Sequence, residues 1–527
     1  MERKRNGFLL TRREFTGLAA GAAAIGLLPS SGSSAQPAAA TSSGGGPKRG
    51  GTFTMARTAS VQEFNPLSLM AGNFGFMRAM YNTLAHYDSN LKPQPELAEK
   101  WDFSLDGKTL TFKLREGVKY HSGREFTSAD VKFSVEWASV NDQSTMRALF
   151  KTIKQVETPD KYTAVFKFDT INPGAFDILD TLYVLDRETI NDRAKMGIGT
   201  GPFRLDKYVP NDRVEMVAFQ DYWDKGKPYL ERYIARQIPD VSSMTINLES
   251  GAVDAIWQPT PTDLQRLKRA GRFKVDMGES GAMMYSVIIN TKQEPFTDKH
   301  VRQAVGWAMD RERYCKAVLL GLAEPTCLMW PNHSWAYFKD LEGKIGFDLD
   351  KARALLKEAG VEKGFETEIL TCSRLQPAAN AMALILQADL KKIGINTKVM
   401  DMENARFQHR ITVAGDTSIV FHGYGRCNRD PGTLVTAAVF WYTHKQGGVA
   451  SKFESAGYDQ LRNDLQSTLD HEKRKQICRK IQELALEECF NIPAAPNQRG
   501  FAYASYVRGF SFNLDYSPNA GDFWLER

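Results

Sequence analysis

Apolar and polar positions follow two different periods along this chain. Short apolar or alternating runs, typical of β-strands, occur at residues 51–56, 110–114, 164–168 and 213–219. Longer stretches with apolar residues at helical spacing predict helices at residues 128–139, 300–320, 349–359, 378–393 and 471–488. Strands that alternate with helices in this way predict a mixed α/β protein.

Residues at the ends of two predicted helices support them. Thr127 precedes the helix at residue 128, and Asp348 precedes the apolar positions Ala352 and Leu356 with Gly360 after them. Asp and Thr side chains accept hydrogen bonds from the first free amides of a helix, and Gly adopts the left-handed backbone that ends one.

The first forty residues carry a different pattern. A basic stretch at residues 1–10 precedes an apolar run at residues 17–28, which is shorter than the roughly twenty residues that cross a bilayer. This order predicts a signal peptide and leader over residues 1–40, cleaved after Ala35 or near Ala40, and then a flexible linker over residues 41–50. The pair Arg12-Arg13, followed by Phe15, predicts export to the periplasm by the twin-arginine route. No cysteine stands at the end of the apolar run, where a lipid would be attached, so we expect a mature protein without a lipid anchor.

Charge and length exclude some classes of protein. The formal net charge of +6 falls to about +3 without residues 1–35, and the positive residues are scattered among acidic ones. This is typical of a solvated surface rather than of a nucleic-acid-binding face. A chain of 527 residues is expected to form two or three domains.

Six cysteines (Cys315, Cys327, Cys372, Cys427, Cys478 and Cys489) allow fifteen pairings, and the sequence selects none of them. Cys478 and Cys489 lie on one predicted helix, where eleven positions separate them by about 16 Å, too far for a disulfide. No C-x-x-C motif occurs, which argues against a redox or structural zinc site.

Several segments, in order along nearly the whole mature chain, resemble the extracellular solute-binding protein family 5, the dipeptide, oligopeptide and nickel receptors of ABC importers. The segments are Pro95-Glu96-Leu97-Ala98-Glu99-Lys100-Trp101, Phe112-Lys113-Leu114-Arg115-Glu116-Gly117-Val118, Gly199-Thr200-Gly201-Pro202-Phe203, Asp221-Tyr222-Trp223, Ala308-Met309-Asp310-Arg311 and Asn491-Ile492-Pro493.

The resemblance implies an α/β, two-lobed periplasmic-binding-protein fold of type II, in the large peptide-binding subclass with an extra subdomain in the first lobe. The expected limits are residues 51–82 and 197–283 for the core of lobe I, 83–196 for its extra subdomain, 284–492 for lobe II and 493–527 for the return to lobe I. Crossovers between the lobes are expected near residues 284–290 and 491–495. The resemblance also implies a monomer that binds a small solute and delivers it to the permease subunits of an ABC transporter, with no cofactor.

In peptide-binding members of the family, an aspartate holds the free amino terminus of the ligand. The segment that contains this aspartate matches Gly423-Tyr424-Gly425-Arg426-Cys427-Asn428-Arg429-Asp430-Pro431 in this chain. Cys427 stands at the aspartate position, and a neutral thiol cannot form the charge-assisted bond of an ammonium group. Two hypotheses follow. Either Asp430, Asp401 or Glu403 takes over the ammonium group of a short peptide, or the ligand is a carboxylate-bearing or other anionic compound, such as an opine, a modified peptide or a sugar conjugate.

Arg374 matches the arginine that meets the ligand carboxylate in dipeptide binders, and a guanidinium suits bidentate carboxylate binding. Arg426 stands within the segment above and is a second candidate contact. Tyr424 and Asp430 are predicted to contact the ligand as well. The expected apolar walls of the cleft are Trp257, Trp441, Phe64 and Phe74.

Other functions receive less support from the sequence. A secreted hydrolase would need a distinct carboxylate pair or a G-x-S-x-G motif, and the chain has neither, so we expect no catalytic residues. Nickel or haem binding remains an alternative within the family because His422 adjoins the ligand segment. The histidines are not spaced as a local metal site, so no metal ligands are predicted.

Overall fold

A seven-stranded, a five-stranded and a four-stranded β-sheet carry most of the described part of this protein. The computed structural model describes residues 46–59, 66, 75–141, 144, 147–189, 197–277, 283–427, 429–497, 500–513 and 516–527. The predicted signal peptide, Phe64 and Phe74 lie outside these residues.

The strands of each sheet come from separate parts of the chain. The seven-stranded sheet has, in spatial order, the strands Phe273–Asp276, Phe501–Ala504, Ala255–Trp257, Thr52–Arg57, Arg232–Gln237, Arg213–Ala218 and Phe203–Val209. The five-stranded sheet has Ile395–Asp401, Phe365–Thr371, Ile419–Gly425, Met283–Ile289 and Asn491–Pro496. The four-stranded sheet has Ala98–Phe103, Thr109–Leu114, Thr163–Phe168 and Ile153–Asp160. Short pairs join Ala85–Tyr87 to Pro93–Pro95 and Val507–Arg508 to Trp524–Leu525.

Helices pack on these sheets and connect their strands. The α-helices of the described part are Met77–Met80, Ser128–Val140, Arg147–Phe150, Ala175–Leu179, Val241–Glu249, Pro261–Arg269, Lys299–Trp307, Arg311–Ala317, Leu349–Glu358, Pro377–Lys391, Asn404–His409, Pro431–Ala437, Ala456–Ser467 and His471–Glu488. The shorter turns are the 3₁₀ segments Lys339–Leu341, Val439–Trp441, His444–Gln446 and Ala520–Asp522, and the π segment Arg410–Ala414. Within the described ranges, no helix combines the length and the apolar character needed to cross a bilayer.

In the four-stranded sheet, the burial of every second side chain explains the alternation of apolar and polar residues in a predicted strand. In the strand Thr109–Leu114, Leu110, Phe112 and Leu114 are fully buried, while the residues between them are more exposed. Side chains of a strand point alternately to its two faces, so every second residue enters the core. The strand pairs on both sides, with Ala98–Phe103 and Thr163–Phe168.

Most of the predicted helices are confirmed, and one is wrong in its extent. The helix His471–Glu488 has the predicted bounds, begins where Asp470 accepts a hydrogen bond from the Lys473 amide at 2.8 Å, and ends at Cys489 with a φ of 48°. Residues 300–320 form two helices, Lys299–Trp307 and Arg311–Ala317, rather than one. Asp310 caps the second helix by accepting from the Arg313 amide at 2.9 Å, so the chain turns before it.

In the described part of the chain, two connections join the two larger sheets, and each lies directly beside a segment near which a crossover was predicted. The strand Met283–Ile289 pairs with Ile419–Gly425 on one side and with Asn491–Pro496 on the other. Both segments predicted as crossovers are therefore held in the five-stranded sheet by its hydrogen bonds. The connections lie between Asp276 and Met283 and between Pro496 and Phe501. The domain limits themselves remain predictions.

The six cysteines are all described, all buried and all unpaired. Burial in apolar surroundings raises the pKa of Cys315 and of Cys489 to about 12. The thiols of Cys315 and Cys489 therefore stay neutral at physiological pH and pack as small apolar side chains.

Candidate ligand-binding site

The segment predicted to bind ligand, residues 423–431, includes the last three residues of the strand Ile419–Gly425 and continues past its carboxyl end. Gly423 approaches the amide side chain of Gln376 so closely that a β-carbon would lie 3.0 Å from it, and its backbone N–H donates to Gln376 Oε1 at 2.7 Å. Arg426 then adopts a left-handed φ of 72°. The helix Pro431–Ala437 begins five residues later. Asn428 lies outside the described residues.

Asp430 is fully occupied by contacts within the protein. Both of its carboxylate oxygens accept from the Arg474 guanidinium, at 2.5 and 2.9 Å, and Oδ1 also accepts from the Gly432 amide at 2.9 Å. Asp430 therefore caps the helix Pro431–Ala437 and forms a bidentate ion pair in a buried position. Burial opposes the charge of Arg474, but Asp430 outweighs it and raises the arginine pKa. This arrangement argues against Asp430 as a replacement acceptor for a ligand ammonium group.

The helix Ala175–Leu179 faces this segment and supplies two buried carboxylates. Asp177 Oδ1 accepts from the backbone N–H of Asp430 at 3.0 Å and from the Tyr87 hydroxyl at 2.8 Å. Asp180 pairs with Arg429 and accepts from Arg78 at 2.9 Å. Burial opposes the ionised form of Asp180, but its two arginines outweigh this and lower its pKa. Residues more than two hundred positions apart thus meet across this contact.

Asp177 is the less satisfied of these two carboxylates. Burial and the negative charge of Asp430 raise its pKa to about 6. Its second oxygen, Oδ2, is buried without a hydrogen-bond partner among the described residues. Asp177, Asp180 and Tyr87 were not predicted from the sequence, because isolated acidic residues and a single tyrosine have the same pattern there as ordinary surface or core residues.

Three of the residues predicted to contact the ligand pack in the core beneath the five-stranded sheet. Tyr424 and Cys427 are 1% exposed, and Trp441 is fully buried. The Tyr424 hydroxyl donates to the Met329 carbonyl at 2.9 Å, and its ring meets the Trp441 ring edge-on at 5.3 Å. Apolar burial raises the pKa of the Cys427 thiol well above its usual range. The structure brings these residues together as packing partners, and their contact with a ligand remains a prediction.

Arg374 and Arg426 differ from the acidic candidates in having no partner. In the described part of the chain, neither guanidinium forms a hydrogen bond or an ion pair. Arg374 and Arg426 are both exposed. The alternative ammonium acceptors are engaged: Asp401 accepts from the Ser373 amide at 2.7 Å and hydroxyl at 2.5 Å, and Glu403 caps the helix Asn404–His409.

Trp257 lies in another part of the protein. It ends a strand of the seven-stranded sheet, is 3% exposed and stacks on Phe501 with ring centroids 6.5 Å apart. Its indole N–H is buried without a hydrogen-bond partner in the described ranges. The other two predicted aromatics, Phe64 and Phe74, are not among the described residues.

His422 is held neutral by its surroundings. Its ring lies between Phe407 and Phe440, with centroid distances of 5.1 and 5.7 Å, and burial lowers its pKa from 6.5 to about 4. Among the described residues, no three His, Cys, Asp or Glu side chains lie close enough together to hold a metal ion. The position of His422 between two apolar rings is typical of a packed histidine.

This pKa makes stability depend on pH. The unfolded chain binds a proton on His422 below about pH 6.5 and the folded protein only below about pH 4, so acid favours unfolding between these values. We expect the proton uptake by His422 on unfolding to lower the free energy of unfolding by up to about 3 kcal/mol as the pH falls through this window. His422→Phe should remove this part of the acid sensitivity. Urea denaturation of both proteins at pH 7.5 and pH 4.5 measures it, and an identical pH dependence would contradict the expectation.

The family model for bacterial extracellular solute-binding proteins, family 5 Middle, matches residues 92–443. The dipeptide-binding protein of Escherichia coli (strain K12) is 29% identical over 467 residues, which cover 82% of this chain and 86% of that protein. Heme-binding protein A of Haemophilus influenzae is 27% identical over 499 residues, covering 87% of this chain and 89% of that protein.

Solved structures share the fold over nearly the whole chain. The ABC transporter-associated periplasmic binding protein DppA from Helicobacter pylori, in complex with the peptide STSA, superimposes with a TM-score of 0.73 at 25% identity, covering 91% of this chain and 99% of that one. HbpA2 from Haemophilus parasuis superimposes with a TM-score of 0.81 at 25% identity, covering 90% of this chain and all of that one. The predicted α/β periplasmic-binding-protein fold of type II is confirmed.

Proposed function

The chain belongs to the bacterial extracellular solute-binding proteins of family 5, and from this premise we propose that it is the periplasmic receptor of an ABC importer. It captures a small peptide or a peptide-like, carboxylate-bearing solute and delivers it to permease subunits in the inner membrane. The match over residues 92–443 carries the proposal, because it includes strands of all three large sheets.

Capture by closure of two lobes is consistent with the architecture. The seven-stranded and five-stranded sheets have separate cores, and the chain passes twice between them. Hinge closure around a ligand is the usual motion of periplasmic binding proteins. Closure removes water, so each polar group left unmatched in the cleft costs about 1–3 kcal/mol. The charged side chains of the cleft therefore determine which solute is accepted.

Arg374 is the proposed anchor for a ligand carboxylate. Its guanidinium is exposed at the end of the strand Phe365–Thr371 and has no hydrogen-bond partner among the described residues. A planar guanidinium can bind both oxygens of a carboxylate at once. The dipeptide-binding and di/tripeptide-binding relatives support a peptide-like solute.

The remaining parts of the proposal concern export and partners. The pair Arg12-Arg13 supports export through the twin-arginine route with later cleavage of the signal peptide, leaving a soluble periplasmic monomer. We propose no catalytic activity, since the family consists of solute-binding proteins. An opine, an oligosaccharide or a nickel or haem ligand is the alternative cargo for the same role.

Thermal unfolding of the mature protein against a panel of solutes tests the proposal. The panel contains di- and tripeptides, their N-acetylated forms, opines, oligosaccharides and nickel. A solute that binds only the folded state should raise the unfolding free energy by about 2.7 kcal/mol at a hundredfold excess over its Kd. Arg374→Ala should abolish the shift for carboxylate-bearing compounds.

Two outcomes would contradict the proposal. Stabilisation by nickel alone would replace the peptide-like cargo with a metal, and turnover of a panel compound would make the protein an enzyme. Arg353→Ala is a control, because Arg353 is also exposed but pairs with Asp350 in the helix Leu349–Glu358. It should leave every shift unchanged.

A further inference from the structure

The four-stranded sheet and the residues of its core form a unit that is attached to the seven-stranded sheet. We call residues 98–185 the four-stranded unit. Lys119 pairs with Asp221 at 3.0 Å, and the Arg115 guanidinium lies over the Trp223 ring, 4.6 Å from its centroid. Asp221 and Trp223 follow a strand of the seven-stranded sheet. The chain also enters the unit from that sheet and returns to it afterwards, so the two are expected to move together.

The four-stranded unit has a second contact, with the part of the chain around the five-stranded sheet. The helix Ala175–Leu179 packs Ile178 into the core of the four-stranded sheet, whereas Leu434 in the helix Pro431–Ala437 belongs to the core around the five-stranded sheet. The chain reaches the five-stranded sheet only after passing through the seven-stranded one. This contact therefore joins two separately packed bodies that are not directly connected along the chain.

Buried charges and a backbone hydrogen bond form the centre of this contact. Asp180 pairs with Arg429, and their side chains are 5% and 11% exposed. Asp177 Oδ1 accepts from the backbone N–H of Asp430 at 3.0 Å. Arg78, which precedes the four-stranded unit in the chain, also donates to Asp180 at 2.9 Å. If the two bodies separate, water can hydrate Arg429, so the cost of breaking this pair is far below that of leaving a charge buried alone. Such a contact can form and break reversibly.

Two glycines let the surfaces approach closely. A β-carbon at Gly174 would lie 3.2 Å from Thr433 Oγ1, and one at Gly107 would overlap the Leu469 side chain. Gly107 lies in the turn between the first two strands of the four-stranded sheet, and Leu469 lies between two helices that pack around the five-stranded sheet. The contact thus extends from the helix to the hairpin turn, which makes it a packed interface rather than a single ion pair.

From this geometry we propose that residues 174–180 and 429–433 form a clasp that holds the receptor closed and opens whenever the receptor opens. The inference rests on the proposed function as a solute receptor that closes around its cargo. The connections at residues 276–283 and 496–501 start from the seven-stranded sheet, so rotation about them separates the four-stranded unit from residues 429–433. Arg429 acts here as a positioning residue, since it stabilises the closed receptor through Asp180 and not through the solute.

A clasp of this kind changes affinity by a rule of its own. The apparent affinity of a receptor is reduced by the fraction of molecules that are in the binding-competent state. The clasp raises that fraction without contacting the solute, so it should strengthen the binding of every solute by the same factor. A residue that contacts the solute, such as the proposed anchor Arg374, should instead affect only solutes with the matching chemical group.

Small-angle X-ray scattering of the solute-free mature protein tests the clasp directly. Arg429→Met should increase the radius of gyration, while Arg78 still holds Asp180, so no carboxylate is left buried without a cation. Arg429→Lys keeps the charge and should stay closer to the wild-type value. Arg410→Met is the control, because Arg410 is 17% exposed and pairs with two acids around the five-stranded sheet. It should leave the radius unchanged. An unchanged radius in Arg429→Met would overturn the inference.

Titration calorimetry with a series of dipeptides tests the effect on binding. Arg429→Met should raise the Kd of every dipeptide that binds the wild-type protein by roughly 10- to 100-fold, the value of a hydrogen bond to a charged group. The factor should be the same when the dipeptide is N-acetylated. A loss confined to one chemical class would place Arg429 in contact with the solute and overturn the clasp. If no dipeptide binds the wild-type protein, the proposed peptide-like cargo fails, and the scattering experiment still decides on the clasp.

A reversible crosslink provides the opposite test. The 3.2 Å separation between a β-carbon at residue 174 and Thr433 Oγ1 suits a disulfide, so Gly174→Cys combined with Thr433→Cys should form one on oxidation. The six native cysteines are buried and should not compete. The oxidised protein should neither take up nor release dipeptides, and reduction should restore both; oxidised Thr433→Cys alone should behave as wild type. Normal exchange in the crosslinked protein, or failure of the crosslink to form, would overturn the inference.

Discussion

Asp430→Asn should lower the free energy of unfolding by about 3–5 kcal/mol, the usual cost of leaving one member of a buried ion pair without its partner. The Arg474 guanidinium is 8% exposed and bonds to both Asp430 oxygens. Asn has the shape of Asp and can still cap the helix Pro431–Ala437, so the change isolates the lost charge. Urea denaturation followed by circular dichroism measures the difference.

The chain offers a matched control for this prediction. Arg479 and Asp340 form a bidentate pair of the same geometry, at 3.1 and 2.5 Å, but Asp340 is 61% exposed. Asp340→Asn should cost less than about 1 kcal/mol, because water replaces the lost contact. The double variant Asp430→Asn with Arg474→Met should be more stable than Asp430→Asn alone, since no unpaired charge remains. Equal losses at the exposed and buried pairs would contradict the assigned burial.

The second large effect concerns the position where the family has its ammonium-binding aspartate. We expect Cys427→Asp to destabilise the protein by on the order of 4 kcal/mol at pH 7.5 and not to create an ammonium site. Cys427 is 1% exposed among apolar side chains, so a carboxylate there would lose its water without gaining a cation. Burial would raise the carboxyl pKa in the folded state, so the destabilisation should become smaller as the pH falls toward about 4, the pKa of Asp in the unfolded chain.

Two measurements distinguish a residue 427 that is buried in the core from one that faces the ligand. Cys427→Ala removes the thiol without adding charge and should lose much less stability than Cys427→Asp at pH 7.5. Calorimetric titration with free-amine dipeptides tests for a restored ammonium site. A Cys427→Asp protein that keeps its stability and gains affinity for them would show that residue 427 faces the ligand, and would refute the core position.

Much of the local structure could be predicted from the sequence because its causes lie within a few residues. Thr127 and Asp348 cap the helices that follow them, and both helices begin where the cap residues predict. The alternation of Leu110, Phe112 and Leu114 predicted a strand buried on one face, as the four-stranded sheet has it. The break at Asp310 was missed because the apolar spacing continues across it and a single cap residue gives a weak signal.

The candidate site could be predicted only in part. The segment 423–431 and the arginines 374 and 426 were found from their order along the chain, and Arg374 and Arg426 prove to have no partner among the described residues. The packing of Tyr424 and Trp441 against each other was not expected, because an aromatic residue has the same sequence pattern in a core as in a cleft. The environment of an aromatic ring is set by elements that lie far away in the chain.

The sequence by itself determined the fold class, the family and the segment in which charge had changed at Cys427, because these depend on residue order and short-range period. Only the tertiary structure decided which charges remain available to a ligand. Asp430 is engaged by Arg474, forty-four positions away, and by Asp177, 253 positions away. Whether a carboxylate or a guanidinium is satisfied depends on distances of about 3 Å between such residues, and a linear pattern contains no information about distances of that kind.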